Sequence, residues 1–161
     1  MTIHQPIHAD AARAPVAPPR SFLSMLVHIR SNGRDNGGLH VIETVVPSGD
    51  ESPWHVHHDE DESFYVMEGE LEVIVGDRRV RLGPGDFAFG PREVPHGFRV
   101  TSPGPARFLM ITVGGRFADF IAEMSEPLAD AVLPERAEID LPRLVATAKK
   151  YGMDVFGPLP A

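Results

Sequence analysis

The sequence predicts an all-β protein, a small antiparallel β-barrel or jelly roll that is followed by two α-helices. Between residues 21 and 114, short runs of alternating apolar and polar residues are separated by turns rich in Gly and Pro, which is typical of antiparallel strands. After Gly114 and Gly115 the apolar residues change to helical spacing. With 161 residues, of which 42% are hydrophobic, the chain has the size of one domain with a core of its own.

Residues 1–20 are predicted to form a flexible arm, because they are rich in Ala and Pro and show no sustained apolar period. His4 and His8 lie in this arm, and we expect them to be exposed and without a role in the site. Two strands, 22–30 and 39–46, are expected next, joined across a run of Asn and Gly residues that predicts a turn. Each of these strands contains a single histidine, which we interpret as structural or exposed.

The rest of the barrel is predicted from the same alternation and from the turns between the runs. The expected strands are 54–58, 62–67, 71–76, 78–82, 87–90, 96–100 and 106–113. The second helix is expected to begin after Asp140, a good N-cap, and to end at Gly152. The helices either cover apolar surface of the barrel or help to close a pocket. The chain would therefore consist of the arm, a barrel over 21–114 and a helical extension over 115–161.

The stretch 49–69 contains the residues that point to chemistry. If 54–58 is a strand, His55 and His57 project from the same face, because alternate side chains of a strand do so. The following strand can pair antiparallel with this one, which would bring Glu62 opposite the two histidines. Two imidazoles and a carboxylate suit a divalent transition metal, and the absence of cysteine leaves His and carboxylate as the plausible ligands.

A second stretch, 85–100, contains a further histidine, which follows a segment rich in turn-forming residues. Together the two stretches resemble the two sequence motifs of the cupin superfamily. The first matches every defining position: Gly49, five residues, His55, one residue, His57, four residues, Glu62, six residues and Gly69. The second has the family's glycine, proline and metal-binding histidine at Gly85, Pro91 and His96.

The second motif departs from the family at two positions. Glu93 stands where a glycine is usual, and Val100 stands where an asparagine closes the motif. Both positions shape a turn or a strand end in the family, so these departures concern the local backbone more than the ligand set. The resemblance covers residues 39–113, and the ending 151–158 is similar to that of bacterial single-domain cupins of the quercetin 2,3-dioxygenase type.

The resemblance implies one divalent transition metal, with Fe, Mn, Ni, Co, Cu and Zn all open. Its ligands would be His55, His57, Glu62 and His96, and Glu62 would also be the catalytic residue that takes a proton from the substrate. His58 adjoins these residues but faces the other way along a strand, so we expect it to lie outside the ligand set. An ion with free coordination positions favours chemistry or ligand capture over a purely structural role.

The expected substrate pocket is apolar and lined by Phe64, Val66, Phe89, Phe98 and Met110, although core packing is the commoner role for such residues. Such a pocket suits a small aromatic or enolic compound that chelates the metal. The resemblance implies a quercetinase-like, ring-cleaving dioxygenase. Two alternatives stay open: a metal-assisted isomerase, cyclase or decarboxylase that needs no O₂, and a cupin that binds a small molecule without turnover.

The formal net charge of −8 argues against a nucleic-acid partner, because binding to phosphates needs a basic surface. The sequence shows no signal-peptide pattern and no apolar run that would span a bilayer, so we expect a cytoplasmic protein without a membrane partner. Exposed barrel edges and the resemblance both favour a homodimer. The expected partner is a small-molecule substrate, with O₂ as co-substrate under the oxygenase hypothesis.

Overall fold

The chain forms two antiparallel β-sheets with two α-helices. The computed structural model describes residues 17–34, 36–136 and 138–161. The predicted arm, with His4 and His8, lies outside the described residues apart from 17–20. The strands are β1 (Arg20–Phe22), β2 (Met25–Asn32), β3 (Leu39–Val46), β4 (Trp54–His57), β5 (Glu60–Glu68), β6 (Leu71–Val75), β7 (Arg78–Leu82), β8 (Phe87–Gly90), β9 (His96–Val100), β10 (Ala106–Gly114), β11 (Glu126–Pro127) and β12 (Met153–Gly157), and the helices are α1 (Phe117–Met124) and α2 (Leu141–Lys150).

Each sheet places strands that are distant in sequence side by side. The larger sheet has the strand order β11-β1-β2-β3-β10-β5-β8, and the smaller has the order β12-β4-β9-β6-β7. In β3 and β10, buried and less buried residues alternate along most of the strand, because one face of the sheet packs on the core. The predicted jelly roll with two C-terminal helices is confirmed.

Phenylalanine rings from both sheets form the centre of the core. Phe64 of β5 and Phe108 of β10 are fully buried in the larger sheet, and Phe98 of β9 comes from the smaller one. The centroid of the Phe98 ring lies 4.9 Å from that of Phe108 and 5.9 Å from that of Phe64, both in edge-to-face geometry. Aromatic pairs in this geometry add to the free energy gained from burial alone, so these rings help to join the two sheets.

The expected pairing of the strand 54–58 with the strand 62–67 is wrong. β4 pairs with β9 and β12 in the smaller sheet, whereas β5 pairs with β10 and β8 in the larger one. The short connection at His58 and Asp59 therefore carries the chain from one sheet to the other instead of forming a hairpin. Consequently Glu62 faces the two histidines from the opposite sheet.

The C-terminal segment contains the two predicted helices and also two strands. Asp140 caps α2 as predicted, because its side chain accepts a hydrogen bond from the backbone N–H of Arg143 at 3.0 Å. Gly152 follows the helix with a φ of 76°, a conformation that favours glycine at a helix end. The chain then returns as β12 to the edge of the smaller sheet, beside β4. This strand was not predicted.

We predict that replacing Gly69 by Ala destabilises the protein strongly. Gly69 has a φ of 77°, and a Cβ there would lie 2.7 Å from Ala106 Cα and 2.9 Å from the Pro105 carbonyl oxygen. Gly49 has a nearly identical φ of 78° but no described atom within 4 Å, so Gly49→Ala is the matched control. We expect a loss of about 1 kcal/mol for the control and about 2–3 kcal/mol for Gly69→Ala, measured by urea unfolding. Equal losses would contradict the steric explanation.

Candidate metal centre

Four polar side chains from both sheets converge in the interior of the sandwich. His55 and His57 come from β4, His96 from β9 and Glu62 from β5. One potential ligand atom of each residue lies within 4.8 Å of the corresponding atoms of the other three. The side chains of His57 and His96 are fully buried, whereas 14% of the His55 side chain is exposed. The cluster is therefore reached from the side of His55.

The local sequence positions these side chains through alternation and strand register. His55 and His57 are two residues apart on β4 and project from the same face. His55 also pairs with His96 in the register of β4 and β9, which places all three imidazoles together. In β5 the buried positions are Glu60, Glu62, Phe64 and Val66, so both glutamates point inward. The predicted ligands are thus brought together.

Each histidine is held by its Nδ1 atom, which leaves the Nε2 atom directed at Glu62. The Nδ1 atoms of His55 and His96 lie 2.7 Å and 2.8 Å from the carbonyl oxygens of Pro53 and Val94. A carbonyl oxygen only accepts, so these Nδ1 atoms donate, and a neutral ring then presents an unprotonated Nε2. The Nε2 atoms of His55, His57 and His96 are 3.7 Å, 3.5 Å and 3.0 Å from Glu62 Oε2.

This donor set fits a divalent transition metal. The Nε2 atom of His57 is buried and has no hydrogen-bond partner among the described residues. Buried polar atoms are rarely left unpaired, so an atom in this position calls for a ligand. Three imidazole nitrogens around one carboxylate oxygen provide that ligand set, and imidazole suits Zn, Cu, Fe and Ni while carboxylate suits Mn.

Glu60 is a buried neighbour of the candidate site that was not expected from the sequence. It is 1% exposed, and its Oε1 accepts a hydrogen bond from His57 Nδ1 at 3.1 Å. Its Oε2 accepts from the backbone N–H of Phe117 at 3.3 Å, which links α1 to the site. A carboxylate behind a metal-binding histidine fixes the orientation of the ring and increases its basicity. Glu60 lies two residues before Glu62, a spacing that places both side chains on one face of a strand. The acidic run around it, however, is typical of a solvated loop.

Opposing effects set the charge of the two central groups. Burial would lower the pKa of His57, but the hydrogen bond to Glu60 and the negative charge of Glu62 raise it to about 9. Burial would raise the pKa of Glu62, but contacts with His55, His57 and His96 hold it well below its ordinary value. Glu62 is therefore an anion at neutral pH.

His58 and Glu93 lie outside the cluster and contact each other. The two carboxylate oxygens of Glu93 lie 3.0 Å and 3.1 Å from His58 Nδ1, and Asp154 Oδ2 lies 3.0 Å from His58 Nε2. Both carboxylates raise the pKa of His58, with Asp154 contributing most. Glu93 has a φ of 65°, in the left-handed region that favours glycine. This backbone conformation accounts for the glycine that the cupin motif has at this position. The side chain of Glu93 is 63% exposed.

An apolar cavity borders the cluster. The volume of this cavity is about 50 Å³. Of the residues expected in the pocket, Phe98 and Met110 line it, together with the candidate ligands His55 and Glu62. The other lining residues come from β1, β2 and the turn between them, from the segment before β4, and from α1, α2 and β12: Phe22, Leu23, Met25, Ser52, Pro53, Phe117, Phe120, Leu144, Ala148, Met153 and Val155. Both helices therefore help to close the pocket.

The other three residues expected in the pocket lie elsewhere. Phe64 and Val66 are fully buried in the core and do not border the cavity. Phe89 is 53% exposed, because in β8 it is Ala88 and Gly90 that face inward. Strand alternation assigned Phe64 and Val66 to the correct face, but the cavity occupies only one end of the sandwich.

Comparison with known proteins identifies the family. A family model described as a cupin domain matches residues 41–112. A quercetin 2,3-dioxygenase of Bacillus subtilis (strain 168) is 34% identical over 119 residues, which are 72% of this chain and 34% of that protein. The chain thus matches about a third of the length of this curated relative.

Solved structures agree with the fold. A protein of Thermus thermophilus is 31% identical with a TM-score of 0.51, over 56% of this chain and 84% of that chain. KdgF from a Halomonas species is 21% identical with a TM-score of 0.54, over 70% and 94% of the two chains. A predicted oxalate decarboxylase from Thermotoga maritima is 18% identical with a TM-score of 0.56, over 62% and 93%. At these lower identities, the last two support the fold alone.

Neither α1 nor α2 is long and apolar enough to cross a bilayer.

We predict that His96→Ala removes the metal and that His58→Ala retains it. His96 contributes one of the converging Nε2 atoms, whereas both ring nitrogens of His58 face carboxylates away from the cluster. The measurement is metal content per chain after purification without chelators or affinity metals. Full occupancy in the His96→Ala protein, or an empty His58→Ala protein that is still folded, would contradict the assignment.

Proposed function

The chain belongs to the cupin superfamily, and we propose that it is a metal-dependent oxygenase that acts on a small aromatic or enolic compound, in a quercetinase-like ring-cleaving reaction. The observation that carries this proposal is the position of a carboxylate-containing donor set at the wall of an apolar cavity. The similarity to the Bacillus quercetin 2,3-dioxygenase supports it.

The metal would be held by His55, His57, Glu62 and His96. When bound, a divalent ion of Fe, Mn, Ni, Co, Cu or Zn would supply Lewis-acid chemistry at open positions and, for the redox-active ions, electron transfer. The protein's own contribution is to orient the donors before the ion arrives. The carbonyls behind His55 and His96, and the Glu60 carboxylate behind His57, hold the three rings with their Nε2 atoms inward.

Glu62 would both bind the metal and accept the proton of the substrate hydroxyl. Because its pKa is held low, Glu62 is ionised at neutral pH but is a weak base, so it would take a proton only from an acidic hydroxyl such as that of an enol. It lines the cavity, so the hydroxyl of an enolic substrate in the cavity would come within its reach. Phe98, Met110 and Phe117 form part of the wall and would shield this proton transfer from water.

The two alternative functions are distinguished by the need for O₂ and by turnover. Oxygen-electrode traces with a panel of flavonols and diketones would detect the oxygenase. Product formed under nitrogen would instead identify a metal-assisted isomerase, cyclase or decarboxylase. Binding without product under either atmosphere would identify a small-molecule-binding cupin.

We predict that Glu62→Gln, loaded with metal, loses turnover by about 10²–10⁴-fold, because an amide does not accept the proton. The amide oxygen still coordinates, so metal content is confirmed first and O₂ uptake and substrate loss are then followed across pH. Glu93→Gln is the matched control, since Glu93 lies outside the cluster and is mostly exposed. Near-normal turnover of Glu62→Gln at full occupancy would leave this residue as a ligand only.

We also propose that the chain forms a homodimer through the outer face of the larger sheet. Large apolar side chains stand exposed there on β3, β5, β8 and β10: Leu39, Tyr65, Phe87, Phe89 and Val113. Tyr65 pairs directly with Phe87 in the strand register, and Leu39 pairs with Val113, so the exposed groups lie on adjacent strands. Adjacent exposed apolar groups of this kind mark association surfaces.

We predict that the wild-type protein elutes as a dimer and that Phe87→Glu with Phe89→Glu converts it to a monomer. In a dimer, the two new carboxylates would be buried in the contact without a charged partner, which is costly. Because Phe87 and Phe89 are exposed, we expect the fold of the monomer to stay intact. The measurement is light scattering coupled to size-exclusion chromatography. A wild-type monomer at micromolar concentration, or a variant that stays dimeric, would contradict this surface.

A further inference from the structure

We propose that Leu23, at the tip of the β1–β2 hairpin, determines the size of the substrate and restricts the metal centre to compact enolic molecules that are otherwise uncharged. This inference rests on the proposed oxygenase, because it concerns the same cavity, and it narrows the substrate from ring compounds of flavonol size to compact enolic ones. Leu23 borders the cavity and is also packed against the core.

The backbone of Leu23 is held in an unfavourable conformation. Phe22 pairs with Met25, so Leu23 and Ser24 form a two-residue turn between β1 and β2. Leu23 has a φ of 54°, in the left-handed region where glycine and asparagine are favoured. Such conformations persist only where the surroundings stabilise them, and they are concentrated at ligand sites. A leucine in this turn therefore indicates that its side chain is needed at the cavity.

Contacts with α1 hold the hairpin in place. The Arg20 guanidinium donates to Ser125 Oγ at 2.6 Å and to the carbonyl oxygens of Ala122 and Ser125 at 3.0 Å and 2.8 Å. The Phe22 ring packs edge-to-face on Phe120, with the centroids 5.7 Å apart. Since Phe22 and Phe120 also line the cavity, the hairpin and α1 form one connected roof.

The room beneath this roof is small. Because one water molecule needs about 10–15 Å³, the 50 Å³ cavity holds about three to five waters. Pockets for drug-sized ligands have about 300–1,000 Å³. A three-ring flavonol therefore exceeds the cavity as it stands, whereas a short diketone in its enol form is of the right order.

The lining also restricts charge. None of the described residues around the cavity is Arg or Lys. The Ser52 hydroxyl is already engaged, because it accepts from the Phe98 N–H at 3.0 Å and donates to the Pro53 carbonyl at 3.2 Å. A carboxylate or phosphate away from the metal would be buried without a partner, which is costly. The substrate is therefore uncharged apart from the oxygens that reach the metal centre.

The test compares the binding of two probes to protein loaded with Zn²⁺, which undergoes no redox chemistry, so that affinity is measured without turnover. Acetylacetone and 3-hydroxyflavone are titrated separately, and the change in their absorption on binding gives each Kd. The wild-type protein is expected to bind acetylacetone at one per chain and 3-hydroxyflavone at least about 10-fold more weakly. Leu23→Ala and Leu23→Gly are expected to change the ratio of the two Kd values by about 10-fold in favour of the flavone.

Two comparisons separate a role in size selection from a structural one. Leu141→Ala is the control, because Leu141 is 52% exposed and does not border the cavity, and it should leave the Kd ratio unchanged. Leu23→Gly removes bulk while suiting the left-handed backbone, so it should shift the Kd ratio with a smaller loss of melting temperature than Leu23→Ala. If the alanine variant fails to fold, this variant still decides the question.

Three results would overturn the inference: equal wild-type affinity for both probes, no binding of either probe, or a Kd ratio that the Leu23 variants leave unchanged. Failure of the proposed function is distinguishable. Protein loaded with Fe²⁺ or Mn²⁺ that binds diketones but takes up no O₂ would contradict the oxygenase and leave the size limit standing. Rapid O₂ uptake with 3-hydroxyflavone by the wild-type protein would support the oxygenase and contradict the size limit.

Discussion

Three imidazole Nε2 atoms that converge on one buried carboxylate are the interaction on which the rest of the structure depends. Buried charges are costly unless they are paired and fully hydrogen-bonded, so the fold must supply partners on every side. The carbonyls of Pro53 and Val94 and the carboxylate of Glu60 do this for the outer ring nitrogens. Because Glu62 comes from the larger sheet and the histidines from the smaller one, the cluster also fixes how the two sheets face each other.

Features that depend on neighbouring residues could be predicted from the sequence. Strand alternation placed His55 and His57 on one face, and Asp140 was recognised as the start of α2. The motif spacing and the resemblance together led to the four candidate ligands, which the fold brings together. Pairing between strands was less accessible, because β4 and β5 are joined by a short turn and yet belong to different sheets. Short connections usually form hairpins, and here long-range pairing with β9, β10 and β12 outweighs that tendency.

The pocket could be predicted only in part, because alternation assigns a residue to a face and not to an end of the sandwich. Phe98 and Met110 were found in this way, while Phe64 lies deeper in the core and Phe89 faces outward. Most of the cavity wall comes from parts of the chain remote from both motifs, such as the hairpin tip at Leu23. Nothing in their local sequence indicates a common location. Glu60 was missed for a different reason, since its inward position is visible only once β5 is known to begin there.

The return of β12 to the edge of β4 bears on when the histidine cluster is fully supported during protein synthesis. β4 is short, and its pairing with β9 is confined to His55 and His96. Its longer pairing is with β12, where Met153 lies opposite His57 and Val155 opposite His55. A nascent chain that has released both motifs from the ribosome but not yet residues 153–157 therefore has its histidine strand held on one side only. The C-terminal strand therefore completes the pairing of the strand that carries His55 and His57.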